Sequence, residues 1–158
     1  MRWKKIFFDE ENNEKAIGME LRKLVNFIHR NVESFKIEDD KNHITKMHGM
    51  IIGFLNNSKS EDVFQKDIEK KFSMRRSTTS KMLKSMEDKG LIKRISIEKD
   101  ARVKKLQLSE KGQSLVEEVT REYQRIENLL IEGLTEEELE QFFKTIHKMQ
   151  QNMLKDIE

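Results

Sequence analysis

The hydrophobic period of this chain changes twice, and that change restricts its fold more than any other feature. Up to Gly90 the apolar residues recur in steps of three and four, as on one face of an α-helix. Immediately after Gly90 the step becomes two. Leu91-Ile92-Lys93-Arg94-Ile95-Ser96-Ile97 reads as a strand, and so does Val103-Lys104-Lys105-Leu106-Gln107-Leu108. The five-residue connection Glu98-Lys99-Asp100-Ala101-Arg102 joins them, which predicts a β-hairpin with a charged tip. From Ser109 onward the helical step returns. The 158 residues include no proline and only six glycines, which disfavours a turn-rich sandwich or barrel and suits long helices.

Four helices are expected before the hairpin. Residues 14–34 place Ile17, Leu21, Leu24, Val25, Ile28 and Val32 on one stripe. Residues 36–42 are polar, lack a period and read as a loop. Ile44-Thr45 opens a second helix with Met47, Met50, Ile51, Phe54 and Leu55 apolar. Gly49 and Gly53 stand four apart on it, so they share a face that another helix can approach closely. Asp62-Val63-Phe64-Gln65 has the spacing of a capping box for a short third helix through Ile68 and Phe72. Ser73-Met74 is a turn. The fourth helix runs over residues 75–89, with Thr79, Leu83 and Met86 inward and Gly90 ending it.

After the hairpin, Ser109 caps a helix carrying Leu115, Val119, Tyr123, Ile126 and Leu130. Gly133 interrupts it. Thr135-Glu136-Glu137-Glu138 is a capping box for a last helix whose apolar face is Leu139, Phe142, Phe143, Ile146, Met149 and Met153. The expected fold is mostly α (α+β): six helices and a two-stranded wing. Residues 1–38 form an N-terminal helical region, 39–112 a central lobe and 113–158 a C-terminal helical region.

The formal net charge of +2 hides a contrast. Residues 63–112 hold 15 Lys and Arg against 7 Asp and Glu, a net of +8, which leaves −6 for the rest of the chain. A basic middle between acidic flanks is the electrostatic footprint of a nucleic-acid face carried on other scaffolding. Charged residues make up 38% of the chain, but nearly equal signs argue against disorder and for a folded, helical protein. There is no cysteine, which excludes disulfides, thiolate zinc sites and thiol redox sensing. No apolar run approaches the roughly 18 residues of a membrane span. The start Met1-Arg2-Trp3-Lys4-Lys5-Ile6-Phe7-Phe8 carries too short an apolar stretch for a signal segment, so cytoplasmic placement is the expectation.

Two short helices joined by a tight turn and followed by a hairpin make a winged helix-turn-helix. The second helix of such a pair enters the major groove of duplex DNA. Outside its inward stripe, that helix carries Arg75, Arg76, Ser77, Thr78, Ser80, Lys81 and Lys84, a face free of acids. Small hydroxyl residues let the backbone approach the groove floor. Arginine and lysine supply phosphate contacts, and arginine can bind guanine bidentately. At the hairpin tip Arg102 is long enough to enter a minor groove, and Asp100 can accept from it and fix its direction.

These residues resemble the MarR family of bacterial transcription regulators over nearly the whole chain. The resemblance is carried by Ile44-Thr45-x-x-His48, Gln65-Lys66-Asp67-Ile68-Glu69, Arg76-Ser77-Thr78, Met86-Glu87-Asp88-Lys89-Gly90-Leu91-Ile92, and Asp100-Ala101-Arg102 leading to Leu108-Ser109-Glu110-Lys111-Gly112. It implies a homodimer whose terminal helices intertwine through Ile17, Leu21, Leu24, Ile28, Leu139, Phe142, Phe143, Ile146, Met149 and Met153. It also implies a double-stranded DNA operator contacted by Gln65, Arg75, Arg76, Ser77, Thr78, Ser80, Lys81, Lys84, Arg102 and Lys104. Asp100 would orient the wing, and a small-molecule effector would release the DNA.

Two positions depart from the family pattern. Arg75 stands where many members have a Ser, Thr or Asp cap, and His48 replaces a common glutamine. Enzyme motifs are missing. Gly112-Gln113-Ser114-Leu115-Val116 lacks the second glycine of a nucleophile elbow, and there is no Walker loop and no His-Glu-x-x-His. Of the histidines His29, His43, His48 and His147, none pairs at metal-ligand spacing on one helix, so no metal or cofactor is expected. The alternative function is a winged-helix module for protein–protein assembly without sequence-specific DNA binding.

Overall fold

The computed structural model describes residues 16–32, 44–58, 61–97 and 100–156; at positions 32, 97 and 100–102 it describes the backbone alone. The expected loop at 36–42, His43, and Glu98 and Lys99 at the hairpin tip lie outside the described residues. The elements run α1 (Ile17–Val32), α2 (Lys46–Asn57), β1 (Val63–Phe64), α3 (Gln65–Phe72), α4 (Arg76–Asp88), β2 (Ile92–Ile97), β3 (Asp100–Leu108), α5 (Glu110–Ser114), α6 (Val116–Ile131) and α7 (Glu136–Leu154). The chain divides into two compact units, one ending at Tyr123 and the other beginning at Gln124.

In the first unit the core follows the expected stripes except on α2, where Met50 is exposed and Ile52, outside the expected stripe, is buried. Ile51, Ile52 and Leu55 of α2, Ile68 of α3, and Leu83 and Met86 of α4 are buried with Val63, Leu91, Ile92, Leu106 and Val119. Thr79 is fully buried as well, and its hydroxyl donates to the Arg75 carbonyl at 3.2 Å, so its polar atom is satisfied.

The sheet is where the sequence reading falls short. Three antiparallel strands lie in the order β1-β3-β2, with Val63 opposite Leu106 and Phe64 opposite Lys105. The expected two-stranded wing therefore gains a short third strand from Val63-Phe64. The Asp62–Gln65 capping box does not form, because Val63 and Phe64 are drawn into the ladder with β3. The helix instead starts after Phe64, whose backbone N–H donates to Asp67 at 2.8 Å, so the carboxylate three residues into the start closes it. One expected helix is also two: α5 stops at Ser114 and α6 begins at Val116, which gives seven helices among the described residues rather than six.

Other signals hold. Thr45 caps α2, accepting from the His48 amide at 3.3 Å, and the Thr45 amide donates to His48 Nδ1 at 3.1 Å. The histidine thus completes the capping box, the part a Gln or Glu ordinarily plays. Gly90, at φ +69°, turns the chain from α4 into β2. Ser109 caps α5 through the Gly112 amide at 3.0 Å, and its hydroxyl also donates to the Gly90 carbonyl. Gly49 admits Tyr123 of α6 closely, since a Cβ there would sit 3.4 Å from the ring. Gly53 has nothing within 4 Å, so only one of the pair serves close approach.

In the second unit α7 has no buried residue. Thr135 and Glu138 form the expected reciprocal cap at 3.2 and 2.9 Å. Among the described residues no helix is long and apolar enough to cross a membrane.

Candidate nucleic-acid interface

The recognition face is set by the packing of α4. Three buried residues, Thr79, Leu83 and Met86, turn the other side outward. Arg75, Arg76, Ser77, Thr78, Ser80, Lys81 and Lys84 are all exposed. Lys84 forms an ion pair with Asp88 at 3.2 Å, although its side chain remains 73% exposed. Arg75 occupies the N-cap position without a side-chain cap hydrogen bond.

Gln65 stands beside the start of α4. As the first residue of α3 it is half-buried, and its amide nitrogen donates to Glu69 at 2.8 Å and to the Arg76 carbonyl at 3.4 Å. It thereby links α3 to the first residue of α4. On the wing, Lys104 is half-buried, and its ammonium donates to Ser96 on the neighbouring strand at 2.5 Å. The backbone of Asp100 and Arg102 lies in β3, with Asp100 opposite Ile97; the side chains of this expected pair lie outside what the structure describes.

Between α3, the start of α4 and the wing lies an open cleft of about 390 Å³ lined by Gln65, Lys66, Glu69, Arg76, Arg94 and Lys104 together with Phe64, Val103 and Leu106. Four cations face one carboxylate there. Sequence reasoning missed Lys66 and Arg94. Lys66 follows Gln65 directly, and the period-two step puts Arg94 on the same strand face as buried Ile92, a charge on an inward face.

The expected dimer-forming residues divide by exposure. Ile17, Leu21, Leu24, Phe142, Phe143 and Met153 are exposed, whereas Ile28, Leu139, Ile146 and Met149 are half-buried. Phe142 and Phe143 pack edge to face with ring centroids 5.6 Å apart. Tyr123, at the end of the first unit, donates its hydroxyl to the Lys46 carbonyl at 2.8 Å. Burial, aided by the charge of Glu122, pushes this phenol up to about 12. Among the described residues there is no group of three or more His, Asp or Glu placed to hold a metal ion.

A helix-turn-helix followed by a three-stranded wing, with a basic outer face on the second helix, defines a winged-helix protein. Comparison narrows the class. Residues 44–103 match the model of the MarR family. The structure of the MepR–DNA complex from S. aureus is 30% identical, covers 85% of this chain and 93% of its own, and superposes with a TM-score of 0.70. The transcription regulator MarR from Oenococcus oeni PSU-1 is 28% identical over 86% of this chain and 99% of its own, with a TM-score of 0.75. A heme-bound structure of the heme sensor protein PefR from Streptococcus agalactiae, at 24% identity, covers 88% of this chain and 95% of its own and shares the fold, with a TM-score of 0.58. The chain belongs to the MarR family of transcription regulators.

Proposed function

We propose that the protein is a sequence-specific repressor that binds a pseudo-palindromic double-stranded operator as a homodimer and leaves it when a small molecule binds. The observation that carries this reading is the outer face of α4. From Arg75 to Lys84 it presents four cations and three hydroxyls with no carboxylate, while Thr79 and Leu83 root the helix in the core. A neutral solvated helix face mixes signs; a face that lies against phosphates does not. The S. aureus relative, at 30% identity, is seen with DNA.

In this reading Arg76, Ser77, Thr78 and Ser80 face base edges, Arg75, Lys81 and Lys84 face phosphates, and Arg102 and Lys104 carry the wing to the flanking minor groove. Asp100 orients Arg102. Gln65 acts through its bond to Arg76 rather than on a base. Residues 39–112 form the DNA-binding lobe. Residues 1–38 and 113–158 dimerise through Ile17, Leu21, Leu24, Ile28, Leu139, Phe142, Phe143, Ile146, Met149 and Met153. Exposed apolar stripes of that extent support an interface. Two-fold symmetry of the dimer would then be matched by two half-sites about one helical turn apart.

Selection of bound duplexes from a random-sequence pool tests the proposal. An enriched inverted repeat with that spacing is expected. Enrichment of no sequence, with binding equal across the pool, would favour the assembly module instead.

A further inference from the structure

We propose that Arg94 is a positioning residue that couples the wing to the recognition helix through Glu87, so that the wing's contribution to DNA binding depends on this ion pair. The inference rests on the DNA-binding reading above and adds to it a residue that makes no required contact with DNA.

The observation is a charge pair that crosses between two elements. Arg94 is the third residue of β2, paired across the ladder with Leu106. Its Nε lies 3.3 Å from a carboxylate oxygen of Glu87, in the last turn of α4, and the two side chains are 22% and 42% exposed. Among the described residues the Nε is buried and makes no hydrogen bond, so the contact is an ion pair without hydrogen-bond geometry. The Nε atom is shielded from water while the Glu87 carboxylate stays partly solvated, so the pair is only partly screened and exceeds what two fully exposed charges would contribute.

Its position gives it a function. At the other end of α4, Gln65 ties Arg76 to α3. The recognition helix is therefore tied at its first residue to the preceding helix and at its last turn to the first wing strand. Gly90, with φ +69°, stands between Glu87 and Arg94; its amide donates to the Glu87 carbonyl at 2.9 Å and its carbonyl accepts from Ser109, so the backbone holds the turn and the side-chain pair adds a second link farther from it. Arg94 also reaches the cleft shared by Arg76 of the helix and Lys104 of the wing. If the angle between helix and wing changes, both cannot meet one duplex backbone at once.

The sign of one substitution separates this role from general electrostatics. Glu87→Gln removes a negative charge from the DNA-facing lobe, and charge alone predicts tighter binding. Loss of the coupling predicts weaker binding. The experiment uses the full-length protein and a fluorescent mixed-sequence duplex of two helical turns at fixed salt, with melting temperatures recorded for every variant. Glu87→Gln and Arg94→Gln are each expected to weaken binding about tenfold, the equivalent of roughly 1.4 kcal/mol. In either background Lys104→Ala should add less than about twofold, while Lys81→Ala should cost the same factor as in the wild type, since only coupled sites depart from additivity. Arg94→Lys, and the exchanged pair Glu87→Arg with Arg94→Glu, should recover most of the affinity. If wild-type protein binds but Glu87→Gln binds equally or more tightly, the coupling is wrong and the DNA reading stands. If Arg94→Gln weakens binding and the exchanged pair does not recover it, Arg94 touches DNA directly and the positioning role is overturned. If wild-type protein does not bind at all, the DNA reading fails and takes this inference with it.

Discussion

Gly112 lies against the carbonyl of Leu91 so closely that a Cβ at position 112 would stand 2.1 Å from that oxygen. The same carbonyl accepts the Ser109 amide at 3.1 Å, so it has no room to withdraw. The close approach fixes where the last wing strand hands over to α5. Gly112→Ala should destabilise the folded protein by about 1–3 kcal/mol, the usual cost of forcing extra volume into packed structure. A denaturant titration checks this; an unchanged midpoint would mean that the junction yields.

Ser73 makes the turn between α3 and α4 at φ +50°, a left-handed backbone that a side chain disfavours. Ser73→Gly should raise stability by roughly 0.5–1 kcal/mol, less than the full strain because glycine also frees the unfolded chain. Thermal melting reads the sign directly.

Tyr123 holds its phenol proton up to about pH 12, against 10.0 for an unburied tyrosine. Between these values the unfolded chain has already released a proton that the folded chain retains, so rising pH favours unfolding. Tyr123→Phe should cost about 1 kcal/mol at neutral pH through the lost bond to the Lys46 carbonyl. It should also flatten the fall in stability from pH 10 upward relative to wild type. Paired denaturation curves across that range give both numbers.

The period of the apolar residues makes the core legible, because burial follows it: Ile68, Thr79, Leu83 and Met86 are buried where the helical step puts them. What stays hidden has physical reasons. A two-residue strand such as Val63-Phe64 has no period, and its neighbours imitate a cap. Leu115 continues the apolar step without a break, so nothing announces the end of α5. Gln65 is a DNA contact only by the family resemblance, and no spacing rule shows its bonds to Glu69 and Arg76, which depend on the angle between two helices. Glu87 and Arg94 are seven residues apart across a turn, and no linear spacing rule pairs them.

On the recognition helix, Lys81→Ala should weaken binding to all duplexes alike and lower the salt slope by about one. Arg76→Ala should instead relax discrimination at one base pair, by about 1–3 kcal/mol if it is bidentate to guanine. On the wing, Arg102→Ala should cost about tenfold or more, in keeping with charge-assisted bonds of roughly 1.5–3 kcal/mol. Asp100→Ala should give a smaller loss, although it removes a negative charge. Tighter binding by Asp100→Ala at matched salt would reduce the carboxylate to a turn residue.

The exposed stripe of α7, with Phe143 54% and Met153 63% exposed, predicts a dimer at micromolar concentration. Phe143→Asp should shift the light-scattering mass toward the monomer or leave an unfolded product, because obligate dimers rarely have stable monomers.

Titration of duplex binding against salt tests the DNA-binding role most directly. If the basic face of α4 and the wing meet phosphates, log affinity falls linearly with log salt, with a slope of about −0.9 per neutralised phosphate. Several contacts per protomer then give a steep line for the dimer. Weak binding with a flat dependence on salt would contradict a DNA-binding regulator and leave the winged helix as an assembly surface.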